Sequence, residues 1–160
     1  MQLHTVYLGL GSNLGDRRSL LKQASLALGP QVEVKARSKV YETPPWGNTE
    51  QPKFLNQVVR GTTYLAPETL LKHLKRLEVA FGRQPGEKNG PRLIDIDILF
   101  YDDLVVDTPA LHIPHRLIPE RAFVLVPLND LAPDLVHPVT QQTVGEMLAA
   151  CDTSQIEALP

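Results

Sequence analysis

Two aspartates carry the strongest chemical signal in the chain. They lie in the run Gly90-Pro91-Arg92-Leu93-Ile94-Asp95-Ile96-Asp97-Ile98-Leu99-Phe100-Tyr101. The alternation predicts a strand, whose period of two sends Ile94, Ile96, Ile98 and Phe100 to one face and Leu93, Asp95, Asp97 and Leu99 to the other. Aspartate is disfavoured in strands, and side chains two residues apart start only about 6 to 7 Å from each other. The carboxylates of Asp95 and Asp97 therefore repel unless a cation lies between them. Oxygen-only ligands of this kind suit Mg²⁺ better than zinc. The competing reading is a solvent-facing strand with two charges.

The residues before this strand favour the cation. The loop from Gly82 to Arg92 holds three glycines and three cations, Arg83, Lys88 and Arg92. Cations beside a divalent-metal site are what phosphoryl transfer requires, because they stabilise charge spreading over phosphate oxygens. A second polar cluster, His112-Ile113-Pro114-His115-Arg116, has two histidines three apart but no further His or Cys nearby. Zinc is a poor fit there, and hydrogen bonding to phosphate or ribose is the better role for His115 and Arg116. Asn56 opens a strand, where its amide can read a heterocycle edge with one donor and one acceptor face. Trp46 lies in the proline-rich loop from Glu42 to Pro52, with Phe54 just beyond; such a ring can cap the core or line a ligand pocket, and its surroundings alone favour the cap.

These residues need elements to position them. Val6 to Leu10 reads as a short buried strand that ends in the turn Gly11-Ser12-Asn13-Leu14-Gly15-Asp16, with Ser12 and Asn13 in structural roles. Leu20, Leu21, Ala24, Ala27 and Leu28 share a helical face, with Asp16 as cap and Gly29-Pro30 as stop. Val32, Val34 and Ala36 alternate as a second strand continuing to Tyr41, and Asn56 to Tyr64 forms a third. Pro67 opens the clearest helix, with Leu70, Leu71, Leu74, Leu77 and Phe81 on one stripe and Gly82 at its end. Glu78 borders that stripe and Lys75 lies further round, a placement open to a solvated face or a cleft wall. Asp102-Asp103 reads as a hairpin turn into Leu104 to Val106. Pro119 to Phe123 reads as a short helical turn, and Thr143 to Ala150 as a small helix. The apolar run from Phe123 to Leu128 is too short for periodicity to choose helix or strand.

The 160 residues, with a net charge of −2 and one cysteine, Cys151, set the frame. Such a length suits a single domain spanning residues 1–160 with a real core. The charge lacks the basic excess of a protein that grips nucleic acid by bulk electrostatics. One cysteine can make neither an intrachain disulfide nor a cysteine metal cluster. No apolar run reaches membrane-spanning length. The expectation is a cytoplasmic protein without nucleic-acid or membrane partners.

The constellation resembles the 6-hydroxymethyl-7,8-dihydropterin pyrophosphokinases of the folate pathway. The resemblance runs from Gly11-Ser12-Asn13 to Pro133, and Gly90 to Asp97 is its most specific part. Glu42 to Gly47, Gln51 to Asn56, Gly82-Arg83, Ile113-Pro114-His115 and Arg121-Ala122-Phe123 add further matches. It implies an α+β ferredoxin-like fold, with a mainly antiparallel sheet flanked by helices in an α/β/α arrangement. It also implies transfer of pyrophosphate from the co-substrate ATP to the pterin's hydroxymethyl oxygen, by a monomeric, Mg²⁺-dependent enzyme. Asp95 and Asp97 would hold two Mg²⁺ ions, and Arg83 and Arg92 would act with them as catalytic residues. Leu71, Lys75, Glu78, Arg83, Lys88, Arg92, Ile98, His112, His115, Arg116 and Arg121 would surround ATP. The pterin would contact Thr43, Pro44, Trp46, Phe54, Asn56, Asp95 and Phe123. The family resemblance thus moves Trp46 from core cap to ligand contact. Asn89, Arg116 and Ala110 depart from the enterobacterial pattern, in which those positions carry tryptophan, tyrosine and arginine. A Mg²⁺-dependent phosphohydrolase and a catalytically silent binding module are the competing functions.

Overall fold

In a computed structural model of the chain, which describes residues 1–45, 50–82 and 93–160, the longest ladder joins β1 (His4–Ser12) to β4 (Phe54–Thr63). The two pair antiparallel from His4↔Thr63 to Ser12↔Leu55. On the other side of β1 runs β5 (Asp95–Tyr101), also antiparallel. β3 (Tyr41–Thr43) and the short β8 (Glu157–Ala158) complete the order β5-β1-β4-β3-β8, and β2 (Glu33–Arg37) pairs with the other end of β4. β5 is therefore an edge strand among the described residues.

Each face of the sheet has its own apolar core. One takes Val6, Leu8, Leu10, Ile94, Ile96 and Ile98 against α1 (Arg17–Ala27) and α2 (Pro67–Ala80), through Leu21, Ala24, Leu70 and Leu74. The other takes Tyr7, Val58, Leu99 and Phe100 against α3 (Ala122–Leu131) and α4 (Val144–Ala149), through Leu125, Leu128, Val144 and Met147. This is the expected α+β layering, helices over both faces of an antiparallel sheet.

The helix boundaries follow their end signals. Asp16 caps α1 by accepting the Ser19 N–H at 3.2 Å, which satisfies one orphan donor of the first turn. Pro67 begins α2, and Gly82 follows it at φ +94°, a left-handed conformation that glycine adopts freely.

Three expectations are corrected, and one reading left open between helix and strand is decided. Phe100 leaves the Ile94–Ile96–Ile98 face and packs with Tyr7 in the second core. Tyr7 pairs with Phe100 and Leu8 with Ile98, so Leu99 is an extra residue that shifts the alternation. The second strand does not run on to Tyr41. Ser38 breaks it by donating its N–H to the Val58 carbonyl and accepting the Val58 N–H on its hydroxyl. Val106 does not return along β5 as a hairpin. β6 (Val106–Asp107) pairs instead with β7 (His112–Ile113), while Asp102 is held by His4 and the Thr5 N–H. The apolar run from Phe123 to Leu128 is helical despite Pro127, with both faces buried enough to erase a polar stripe.

Candidate functional site

Asp95 and Asp97 project from β5 on the α3 side of the sheet. Directly across, on β1, stand Gly11 and Gly9. One strand further, Asn56 lies opposite Gly11 and Val58 opposite Gly9. Glycine in a strand interior gives up a side chain and marks a close approach, and here it leaves a floor for a cavity. The walls are Thr43, Pro44, Phe54 and Asn56 on one side and Asp95, Asp97, Arg121 and Phe123 on the other, around about 610 Å³ of space. Asn56 donates from Nδ2 to the Thr43 hydroxyl at 2.7 Å. Its Oδ1 lies over Gly11, 2.9 Å from where a Cβ would stand. The amide is therefore fixed with its acceptor over the cavity floor. Arg121 has its guanidinium carbon 5.4 Å from the centre of the Phe123 ring, an attractive cation–π placement at the cavity mouth.

A second, broader cleft of about 1070 Å³ runs along the outer edge of β5. Its apolar wall is Leu71, Ile96, Ile98 and Leu111; Lys75, His112, His115, Arg116 and Arg121 give it a cationic and imidazole rim. Asp97 and Arg121 line both spaces. Asp97 is thus the carboxylate at which two separate binding volumes meet.

The electrostatics of that boundary are unfavourable for protein alone. Asp97 is partly open to the cleft yet set among protein atoms. Desolvation first, and the neighbouring Asp95 second, push its carboxyl up to about 7, although Lys75 and Arg121 pull the other way. Two hard oxygen donors with mutual repulsion fit a divalent cation. No group of three or more His, Cys, Asp or Glu side chains converges among the described residues. Two carboxylates would leave the other positions of an octahedral ion to water and substrate phosphate, the arrangement Mg²⁺ favours.

His115 has the opposite perturbation. Burial, then Arg121, lowers its imidazole to about 4, so it is neutral at physiological pH. Its backbone N–H donates to the Leu99 carbonyl at 3.1 Å, which ties it to β5. Its Nδ1 accepts the Leu117 N–H at 3.3 Å, so the proton resides on Nε2 and the ring is a neutral donor.

A model of the 7,8-dihydro-6-hydroxymethylpterin-pyrophosphokinase family matches residues 7–133. The chain belongs to this family. It is 50% identical over 153 residues to a 2-amino-4-hydroxy-6-hydroxymethyldihydropteridine pyrophosphokinase of Methylorubrum extorquens, covering 94% of this chain and 96% of the relative. A protein of the same name from Aquifex aeolicus is 43% identical, with 89% of each chain covered. Among solved structures, the wild-type HPPK-DHPS of Plasmodium falciparum with pteroate matches 92% of this chain at a TM-score of 0.76 and 18% identity. This chain covers 42% of that longer one, and the likeness concerns the fold.

Set against the family pattern, the predicted residues fall into two groups. Thr43, Pro44, Phe54, Asn56, Asp95 and Phe123 gather round the glycine-floored cavity. Leu71, Lys75, Ile98, His112, His115, Arg116 and Arg121 gather round the cleft. Trp46, Arg83, Lys88 and Arg92 lie outside the described residues. Glu78 does not line the cleft but lies buried behind it, 1% exposed. Its Oε2 accepts the Ile96 N–H at 2.8 Å, between the two aspartates, and its Oε1 accepts from Lys75 at 3.1 Å. It therefore fills a hydrogen bond that an edge strand leaves open. Gly9, Gly11, Leu99 and Val124 also line the cavity without having been expected there. The glycines were detectable, since glycine at alternate positions of a buried strand already marks one face as unfilled.

Proposed function

We propose that the protein transfers the β,γ-pyrophosphoryl unit of ATP to the hydroxymethyl oxygen of 6-hydroxymethyl-7,8-dihydropterin, giving the pterin diphosphate and AMP in tetrahydrofolate biosynthesis. The observation that carries this reading is the meeting of two unlike spaces at Asp97 and Arg121. A flat, neutral heterocycle suits the small cavity, between Phe54 and Phe123. The Asn56 acceptor over Gly11 would take a ring N–H, and Thr43 would hold the amide in that sense. A polyanion suits the cleft, where the base would lie against Leu71 and Ile98 and the phosphates near Lys75, His115, Arg116 and Arg121.

Asp95 and Asp97 would hold Mg²⁺, two ions by the family's pattern, which would supply positive charge to neutralise phosphate oxygens. The chain's own groups then hold the reactants in line. The cavity wall aims the pterin's hydroxymethyl arm at the Asp97–Arg121 boundary. Arg121 offers fixed positive charge to the oxygens of the transferred group. His115 donates from Nε2 without adding charge. Positioning and charge stabilisation supply the rate in such transfers, so no protein nucleophile is required. Arg83, Lys88 and Arg92 would add cations from the neighbouring loop, and Trp46 would cover the pterin.

We infer a monomer acting in the cytoplasm. No helix among the described residues is long and apolar enough to cross a membrane. The test is a chromatographic nucleotide assay with MgATP, with and without the pterin. AMP and pterin diphosphate in equal amounts, only with pterin present, are expected. ADP as product, or pterin-independent loss of ATP, would overturn the reading in favour of ordinary phosphoryl transfer or hydrolysis.

A further inference from the structure

The two-stranded ribbon of β6 and β7 lies outside the main sheet, and its single polar cross-strand pair is Asp107 opposite His112. The other pair, Val106 opposite Ile113, packs into the first core, where Ile113 is 1% exposed. The connecting turn is closed by Thr108, whose N–H donates to the Leu111 carbonyl and whose carbonyl and hydroxyl accept the Leu111 N–H. The ribbon is thus anchored on its apolar side and fastened at its tip. This leaves the Asp107–His112 pair in a fixed place on the outward side.

Asp107 does not line the cleft, but both of its partners do. Its Oδ1 lies 2.8 Å from His112 Nδ1 and accepts from the Arg116 guanidinium at 3.3 Å. The hydrogen bonds from His112 and Arg116 hold the Asp107 carboxyl below the ordinary carboxylate range. A carboxylate can only accept, so His112 donates its Nδ1–H to Asp107 in a hydrogen bond. With Nδ1 committed to Asp107, the unprotonated form of the ring carries its lone pair on Nε2. His115 is set the other way, with its proton on Nε2. The cleft is therefore furnished with one imidazole acceptor and one imidazole donor. Phosphate oxygens carry no donor at neutral pH, so an acceptor in this cleft has to serve the nucleoside portion. An exposed ion pair contributes little to folding, which leaves ligand orientation as its use.

We propose that Asp107 is a positioning residue for the nucleotide, orienting His112 as acceptor for a nucleoside O–H or N–H group and holding Arg116 beside the phosphates. This rests on the assignment of the cleft to ATP. Asp107 acts through its two partners and does not touch the substrate.

The test compares wild type, D107A, D107N, and D107A in an H112A/R116A background. Turnover with both substrates is measured, together with calorimetric binding of a non-hydrolysable ATP analogue and thermal melts. D107A is expected to raise the KM for ATP and weaken the analogue about three- to tenfold, the range of one net hydrogen bond. Its kcat, pterin KM and melting temperature should stay near wild type. D107N keeps an oxygen for His112 and should recover part of the loss. In the H112A/R116A background the D107A change should have little further effect. Discrimination against 2′-deoxyATP lost in D107A would assign the His112 partner to the ribose, whereas loss of discrimination against inosine triphosphate would assign it to the exocyclic amine. Unchanged ATP parameters in a folded D107A, or a full additive loss in the H112A/R116A background, would overturn the proposal. Failure of the wild type to bind the analogue would instead bring down the nucleotide assignment, and this role with it.

Discussion

The two spaces that meet at Asp97 are built on opposite principles. The cavity is made by subtraction: Gly9 and Gly11 withhold side chains from the sheet, and Phe54, Phe123 and the fixed Asn56 amide frame the gap. The cleft is made by addition, with long polar side chains from α2, β7 and the residues after β7 reaching over the open edge of β5. A space of the first kind selects by shape and by a single hydrogen-bond pattern. A space of the second kind selects by charge, tolerates solvent, and loses strength as salt rises. With the proposed occupants, placing both on one strand would let a neutral acceptor and a polyanionic donor approach through different routes and meet at the boundary.

The largest effect should come from the shared boundary. D95A or D97A removes a carboxylate at or beside the meeting point, and AMP formation should fall by roughly 10²- to 10³-fold, the range for losing one electrostatic contact to a transition state. Both residues are on one face of an edge strand, so circular dichroism and thermal melts should still report a folded chain. Appreciable AMP formation by either folded variant would contradict the metal assignment.

Effects confined to one space would sharpen the contrast. Gly11→Ala places a methyl 2.9 Å from Asn56 Oδ1, so the amide has to move or the methyl fills the floor. The pterin KM should rise about tenfold, as an overpacking cost of one to two kcal/mol implies, while the ATP KM stays within about twofold. Gly9→Ala meets nothing nearer than Leu99, at an ordinary 3.5 Å, and should be milder. Equal changes in both KM values for Gly11→Ala would mean that the two spaces are not independent.

Behind the cleft, Glu78 offers a test of stability. Glu78→Leu would leave the Ile96 N–H without its acceptor and free the Lys75 ammonium, costing about 1–3 kcal/mol in urea unfolding. Glu78→Gln keeps an acceptor for the N–H and should cost less than half as much. A Leu variant as stable as wild type would remove Glu78 as the anchor of the strand edge.

How much of this was legible in the sequence depended on whether a residue acts through its own type or through its neighbours. The helices announced themselves by Asp16, Pro67, Gly82 and a periodic apolar stripe. The aspartates and the histidine–arginine cluster stood out because their chemistry needs no context. Phe100 was placed on the wrong face because one extra residue at Leu99 inverts everything after it, and a bulge leaves no mark in an apolar run. α3 was undecidable because a helix buried on much of its circumference has no polar face to set its period. Glu78 reads equally as a solvated or a cleft residue, since only the folded packing of α2 on β5 reveals that it turns inward. Gly9 and Gly11 were the subtlest case, because their contribution to the cavity is an absence.

A pH-dependent effect separates the two perturbed groups facing the cleft. An unfolded His115 takes up a proton near pH 6.5, whereas in the folded chain burial and Arg121 postpone this to about 4, against the pull of Asp95. Its contribution to stability is therefore complete above pH 6.5 and is lost as the pH falls towards 4. Buried His137 has its imidazole lowered as well and acts with the same sign. Asp97 in the metal-free chain acts oppositely. Its carboxyl rises from 3.8 to about 7, so protonation on acidification favours the folded state over that interval. The raw pH profile would then be shallow, and the informative quantity is the difference between wild type and H115N. Urea unfolding at pH 7.5 and 4.5, without nucleotide or divalent cation, should show wild type losing on the order of 2 kcal/mol more than H115N on acidification. Identical pH dependence in the two proteins would mean that His115 protonates freely in the folded state. In that case it would reach the phosphates as an ordinary solvated imidazole, and the cleft would lose its neutral donor.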